Sequence, residues 1–352
     1  MSKEMFKLKH LAFYYDDLFK VSETEILKNV ILGHYIFHLK KRGEKPLLIL
    51  RAGDIVDEER LNHFKKKKFD NFYYLSLVSS DRNDLFFNSF NELHKISLIP
   101  NQEKIADEII YHFSKLYFQG NENESLLLFV NSCFEFFFNL DVKLVKLIFR
   151  NNPKMYSKVL ISSAMSIIVA ISNGIYNTQI LSDLYNASFL MDFSLSSREN
   201  TYFIQFACEA ERKIPGSGLK LLSKLKVSKE ERKLFFYHPI ESFKLANNYK
   251  DKFYYPEILH CIKVQHENNE GTGFPHKLCK STLSNWETIL MTADTLVPFE
   301  EHLYSSLGED KMIFNWVTNV EKTKNYHSSA FKSCLLKFKS SMNWAIGRKN
   351  VA

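Results

Sequence analysis

The stretch best suited to chemistry is His266-Glu267-Asn268-Asn269-Glu270-Gly271-Thr272-Gly273-Phe274-Pro275. It opens on a His-Glu pair, and an acidic-Gly step and a Gly-aromatic-Pro step follow. Two glycines and a proline in so short a run specify a tight, fixed loop rather than a helix. A histidine at the mouth of such a loop can serve as a metal ligand with a rigid support behind it.

The order and spacing of this run resemble the signature of the HD-GYP family, which reads His-His-Glu, two residues, Asp-Gly-x-Gly-Tyr-Pro. Gln265 stands for the first His, Glu270 for the Asp and Phe274 for the Tyr. The resemblance implies a helical bundle with metal-dependent phosphodiesterase activity on the anionic dinucleotide cyclic di-GMP. In such chemistry two ions roughly 3.5–4 Å apart activate a water and steady the oxygens of an in-line displacement. Their ligands must come from several helices, because no single helix surrounds an ion.

Carried over position by position, the family's early His becomes Tyr156 in Tyr156-Ser157-Lys158-Val159. The His of its His-Asp doublet becomes Met191, and the Asp is kept as Asp192. The His-Pro step is kept as His238-Pro239, the signature pair is Gln265 and His266, and the last Asp is Asp294. Asp192, His238, His266 and Asp294 therefore remain as ligands, while Tyr156, Met191 and Gln265 replace histidines. Met and Gln are poor ligands for a hard hydrolytic metal, and Tyr would have to lose its proton. Ser194 and Leu195 stand where the family has Gly-Lys, Val297 replaces a second Asp, and residues 298–305 show no Arg-Pro-Tyr segment.

A kept loop (Glu267, Gly271, Gly273, Phe274, Pro275) around an eroded metal shell implies a pseudoenzyme that binds a protein partner. By resemblance the candidate partners are a diguanylate cyclase (GGDEF) domain and cyclic di-GMP. No cofactor is expected beyond, at most, one divalent ion (Fe, Mn or Zn) on the surviving ligands. Two alternatives stay open: an unconventional phosphodiesterase with a reduced metal site, and a sensor that binds cyclic di-GMP without cleaving it. Each residue also has a plainer role. His238 and His266 can be hydrogen-bonded core histidines, Asp192 a helix cap, and Glu267 a brace for the loop. Asp294, in an apolar helix, is harder to dismiss, because an unpaired buried carboxylate is costly.

The elements that would position these residues follow from pattern. Tyr35 to Leu39, Pro46 to Leu50 and Phe72 to Val78 are short apolar runs between turn residues and read as strands. Asp57 to Lys68 reads as a helix, and Ser22-Glu23-Thr24-Glu25 has the form of a capping box. Arg42-Gly43 reads as a turn, and Lys45 to Asp57, through Ala52-Gly53, resembles the small domain that precedes some HD-GYP modules. Helical patterns then cover 102–118, 125–138, 157–172, 178–193, 201–212, a helix capped by Ser228, 256–265 and 283–296, with breaks at 120–124 and 215–218. Phe134, Phe136, Phe137 and Phe138 make one helix apolar nearly all round, which places it in a core or at a partner interface. The expected fold is α+β: a small α/β domain over 1–98, a helical connector over 99–150, and an HD-type helical domain over 151–345.

Composition bounds the rest. A 352-residue chain with 45% apolar residues can bury a core and suggests two domains. A net charge of +7 suits an anionic ligand without requiring nucleic acid, and Lys65 to Lys68 reads as a solvated helix end. Cys133, Cys208, Cys261, Cys279 and Cys334 are scattered and odd in number, which points to reduced thiols in a cytoplasmic setting. The most apolar stretch, Val159 to Ile171, is read as too short to span a bilayer.

Overall fold

The computed structural model describes residues 5–8, 11–14, 18–28, 35–40, 45–51, 54–56, 58–69, 71–75, 85–118, 126–214, 216–267, 271–278, 283–299, 312–322 and 329–347. Glu270, Cys279, the Arg42-Gly43 turn, Ala52-Gly53, the 120–124 break, Pro215 and residues 300–305 lie outside these.

The fold is α+β, an antiparallel sheet followed by a helical bundle. Strands β1 (Met5–Leu8) and β2 (Leu11–Tyr14) pair as a hairpin. Next come β3 (Leu18–Val21), α1 (Glu23–Lys28), β4 (Tyr35–His38), β5 (Leu47–Leu50), α2 (Glu58–Lys66) and β6 (Phe72–Leu75). The sheet order is β3-β6-β4-β5, and every pair in it is antiparallel. Central β4 is buried on both faces. Ile36 joins Ile26, Leu50, Val56, Leu61 and Phe72 on one side, and Phe37 joins Leu75 on the other. A strand covered twice reads as a continuous apolar run rather than an alternation, which is why its pattern was clear. Strand β3 was not expected. Phe19 and Lys20 at its centre are exposed, and a half-solvated edge strand carries little apolar signal.

The helical part is α3 (Leu85–Lys95), α4 (Ile99–Phe118), α5 (Leu126–Phe137), α6 (Val142–Asn151), α7 (Pro153–Ser172), α8 (Thr178–Leu190), α9 (Phe193–Ser196), α10 (Tyr202–Lys213), α11 (Ser217–Lys224), α12 (Lys229–Ala246), α13 (His260–Val264), α14 (Asn285–Leu296), α15 (Met312–Lys322) and α16 (Ser329–Gly347). One apolar cluster runs from Phe86 on α3 to Ala345 on α16. The aromatic helix α5 lies inside it, with Phe129 and Phe137 against Phe90, so its apolar surface serves the core.

Helix α7 is the axis, buried without interruption from Met155 to Ile171. Its start is set by Asn152, whose side chain accepts from Met155 N, and by Pro153 in the first turn, where a missing N–H has no helical partner to lose. Asn152 Nδ2 also donates 3.0 Å to Thr201 Oγ1, tying this end to the chain before α10. At 20 residues α7 is long and apolar enough to cross a membrane, so length does not exclude a span as the shorter run suggested; 94% of its apolar window is buried inside the fold.

Three boundaries differ from expectation. The 178–193 helix breaks after Leu190, and Asp192 takes a non-helical conformation before α9. The 256–265 segment divides into a 3-10 turn, Pro256–Leu259, and α13. The 215–218 loop becomes helical from Ser217, after Gly216 at φ 81°. A Cβ on Gly218 would meet Ala207 O at 2.4 Å, so only glycine permits this close approach of α11 to α10.

Candidate functional site

Asp192, His238 and His266 meet in the interior where the end of α8, α10, α12, residues 265–267 and residues 273–274 converge. His238 owes its orientation to the residue after it. Pro239 sits inside α12 and has no N–H for the carbonyl four residues back, Phe235 O. His238 Nδ1 lies 2.9 Å from that oxygen and donates to it. The upstream half of α12 is fixed by a full capping box between Ser228 and Glu231.

The hydrogen-bond directions in this group are determined by Arg212. A guanidinium only donates, so His266 Nδ1, 3.4 Å from the Arg212 guanidinium, accepts. The proton of neutral His266 then lies on Nε2 and points at His238 Nε2, 2.9 Å away. His238 keeps its own proton on Nδ1 for Phe235 O. The His266 imidazole is neutral in this chain of bonds. Burial, then Arg212, His238 and Lys158, holds His266 well below the usual histidine range. Asp192 Oδ1 stands 3.3 Å from His238 Nε2, a contact that becomes an ion pair only if His238 is protonated. The same oxygen accepts from Gln265 Nε2 at 2.9 Å, and Gln265 also donates to Met191 O at 3.1 Å. Gln265 therefore fastens the break after α8. Asp192 heads α9 without making a side-chain cap bond.

Asp294 is not unpaired. Its Oδ1 lies 2.8 Å from Lys158 Nζ, and its Oδ2 contacts the Arg212 guanidinium. Burial would raise the Asp294 carboxyl, but Arg212 and Lys158 outweigh it and hold it at about 2. Lys158 Nζ also donates to Asp294 O at 3.2 Å and Val297 O at 2.7 Å, capping the C-terminal end of α14. Glu209 Oε1 lies 3.6 Å from the same nitrogen.

Lys158, Glu209 and Arg212 were missed in the sequence, though traces were present. Lys158 is the only charged residue between Met155 and Ser172. A lone cation in a helix that is otherwise apolar all round needs a buried partner. Arg212 and Glu209 share one stripe of α10 with Cys208 and Gln205, three or four residues apart. Tyr156, taken as the counterpart of a histidine ligand, lies off the site. Its ring packs edge-on to Phe149 at 5.0 Å, whereas Met155, Lys158, Val159 and Ser162 are the α7 residues that line the site. One residue along a helix is about 100°, enough to carry Tyr156 into the core. Met191 and Asp192 line the same small cavity, whose volume is about 10 Å³.

The loop is built inward. Glu267 accepts from His276 N at 2.7 Å and Leu278 N at 2.8 Å, so it braces the turn. Phe274 N donates to His266 O, and the Phe274 ring stacks on His266 at 4.5 Å. Gly273 and Phe274 are buried, Gly271 and Pro275 are half-buried, and Thr272 and residues 276–278 are exposed.

The two-metal centre implied by the resemblance does not fit these residues. Both carboxylate oxygens of Asp294 are occupied by protein cations. His266 would have to move its proton to Nδ1, facing the Arg212 guanidinium. Cys208 Sγ does lie with the His238 and His266 nitrogens, all within 4.8 Å of one another. However, burial and then Asp192 push its thiol well above 9, away from the ligating thiolate.

No family model matches the chain, and no curated protein matches it. Among solved structures it is similar to Bd1817, described as an HDG"Y"P protein from Bdellovibrio bacteriovorus, at 16% identity and a TM-score of 0.34, over 91% of this chain and 98% of that one. At that TM-score the likeness carries neither fold nor activity across, so the functional reading rests on the side chains.

Proposed function

We propose that this chain is a catalytically inactive HD-GYP-like signalling protein that acts by binding a protein partner in cyclic di-GMP signalling. The observation that carries the inactivity is the capture of Asp294 by Lys158 and Arg212, which fills with protein cations the place where a hydrolytic metal would be held. The cavity of about 10 Å³ beside it admits a single water at most, which argues against a cyclic di-GMP sensor using this pocket. Partner binding falls to the outward part of the loop, Thr272 and residues 276–278, where Leu278 is 41% exposed. The buried Phe274 and Gly273 hold that surface in place rather than meeting the partner. A diguanylate cyclase (GGDEF) domain is the partner the loop's resemblance favours.

Two experiments test this reading. Pure protein supplied with iron or manganese is predicted to leave cyclic di-GMP intact, and turnover that disappears in His266→Ala would contradict inactivity. Calorimetric titration with a purified GGDEF domain is predicted to show binding that Leu278→Glu weakens at least tenfold. No binding, or binding indifferent to Leu278, would remove the partner assignment.

A further inference from the structure

Lys158 Nζ is surrounded by more oxygen atoms than it has protons. Val297 O at 2.7 Å, Asp294 Oδ1 at 2.8 Å, Asp294 O at 3.2 Å and Glu209 Oε1 at 3.6 Å face one ammonium group that is 3% exposed. Two carboxylate and two carbonyl oxygens, drawn from α10 and the end of α14, form the donor set of a hard cation. We propose that the Lys158 ammonium is the resident cation of an oxygen-lined cage, and that the cage takes a hard divalent cation once this side chain is removed.

The charge around the cage supports a divalent occupant. Asp192, Glu209 and Asp294 supply three carboxylates, and Arg212 supplies one guanidinium. Truncating Lys158 leaves a deficit that one divalent ion closes. Room is available as well, since the vacated side chain adjoins the cavity lined by Ser162, Ser188 and Asp192, and the hydroxyls of Ser162 and Ser188 are buried without a hydrogen-bond partner. Waters held there can complete a shell that four protein oxygens leave unfinished. The native chain then carries its cation covalently, and its stability is independent of metal.

The proposal rests on the closed-site reading above, and its test reads metal and melting temperature rather than turnover. Full-length wild type, Lys158→Ala and Lys158→Met are melted with and without millimolar Mn²⁺, and bound manganese is measured by mass spectrometry. The wild type is expected to hold no manganese and to melt unchanged. Lys158→Ala is expected to melt lower, to recover several degrees in Mn²⁺ and to retain about one ion per chain. Lys158→Met removes the charge but fills the cage with its stem, so it melts lower and does not respond. Should Lys158→Ala be unfolded without metal, recovery of native circular dichroism on refolding in Mn²⁺ supports the cage, and failure to recover overturns it. Equal uptake by the Ala and Met variants, no uptake by folded Lys158→Ala, or uptake by the wild type also overturns it. Failure of Lys158→Ala to bind leaves catalytic inactivity standing, whereas turnover by the wild type removes inactivity whatever the variant binds.

Discussion

Asp294 and Asp183 are both buried carboxylates, and the fold treats them in opposite ways. Asp294 lies between Lys158 and Arg212 and is held at about 2. Asp183, on α8, accepts from Tyr254 N at 3.1 Å and Tyr255 N at 2.7 Å, pinning that helix to the turn before Pro256. Burial outweighs those two bonds and pushes its carboxyl up to about 6. Burial alone tends to discharge a carboxylate, and fixed cations keep it charged. Of these two carboxylates, only Asp294 is enclosed together with full charges of opposite sign. That region resembles a metal site in its oxygens and differs from one in supplying its own cations.

Substitution should separate the two regions most strongly. Asp294→Asn leaves two enclosed cations facing an amide and is expected to reduce the unfolding free energy by ~3–5 kcal/mol in urea titration. Asp183→Asn keeps one acceptor for two N–H groups and is expected to cost ~1–2 kcal/mol. Equal losses would mean that the Lys158 and Arg212 contacts add nothing to burial.

The pH dependence should come next in size, and the two regions should oppose each other. The folded His266 is held below its unfolded value, so the native state binds fewer protons there. Its contribution to stability is present above about 6.5 and is lost as pH falls below it. Folded Asp183 is held above its unfolded value of 3.8, so the native state binds more protons there, and stability rises as pH falls from about 6 toward 3.8. Asp294 adds a loss below 3.8 as pH approaches about 2. His266→Gln is expected to flatten the acid loss that starts near 6.5, and Asp183→Asn to steepen it. Urea midpoints between pH 4 and 7 measure both, and slopes unchanged in both variants would contradict these assignments. The smallest effect is expected at Glu209→Gln, about 1 kcal/mol, because Glu209 stands 3.6 Å from Lys158 Nζ, beyond hydrogen-bond reach.

Much of the bundle was legible because caps and apolar periods are local. The helices around 157–172 and 283–296 and the Ser228 capping box lie within a few residues of expectation, and Asp192, His238 and His266 do come together. The site's occupants were not legible. Whether Tyr156 or Lys158 faces the site depends on the rotational phase of a helix buried all round, and such a helix has no polar face to reveal its phase. The pairing of Lys158 and Arg212 with Asp294 joins α7, α10 and α14 across more than a hundred residues, and spacing along one sequence carries no record of it. The inward turn of Phe274 was hidden for a related reason. A Gly-Phe-Pro run specifies a tight turn but not the direction its ring takes, which here is set by the His266 imidazole beneath it.

If protein cations occupy the place of a hydrolytic metal, the metal content of the purified, untagged wild type after incubation with iron, manganese and zinc, repeated on His266→Ala, will reveal it. Far less than one ion per chain is expected in both proteins. A stoichiometric metal in the wild type that is lost in His266→Ala would contradict it.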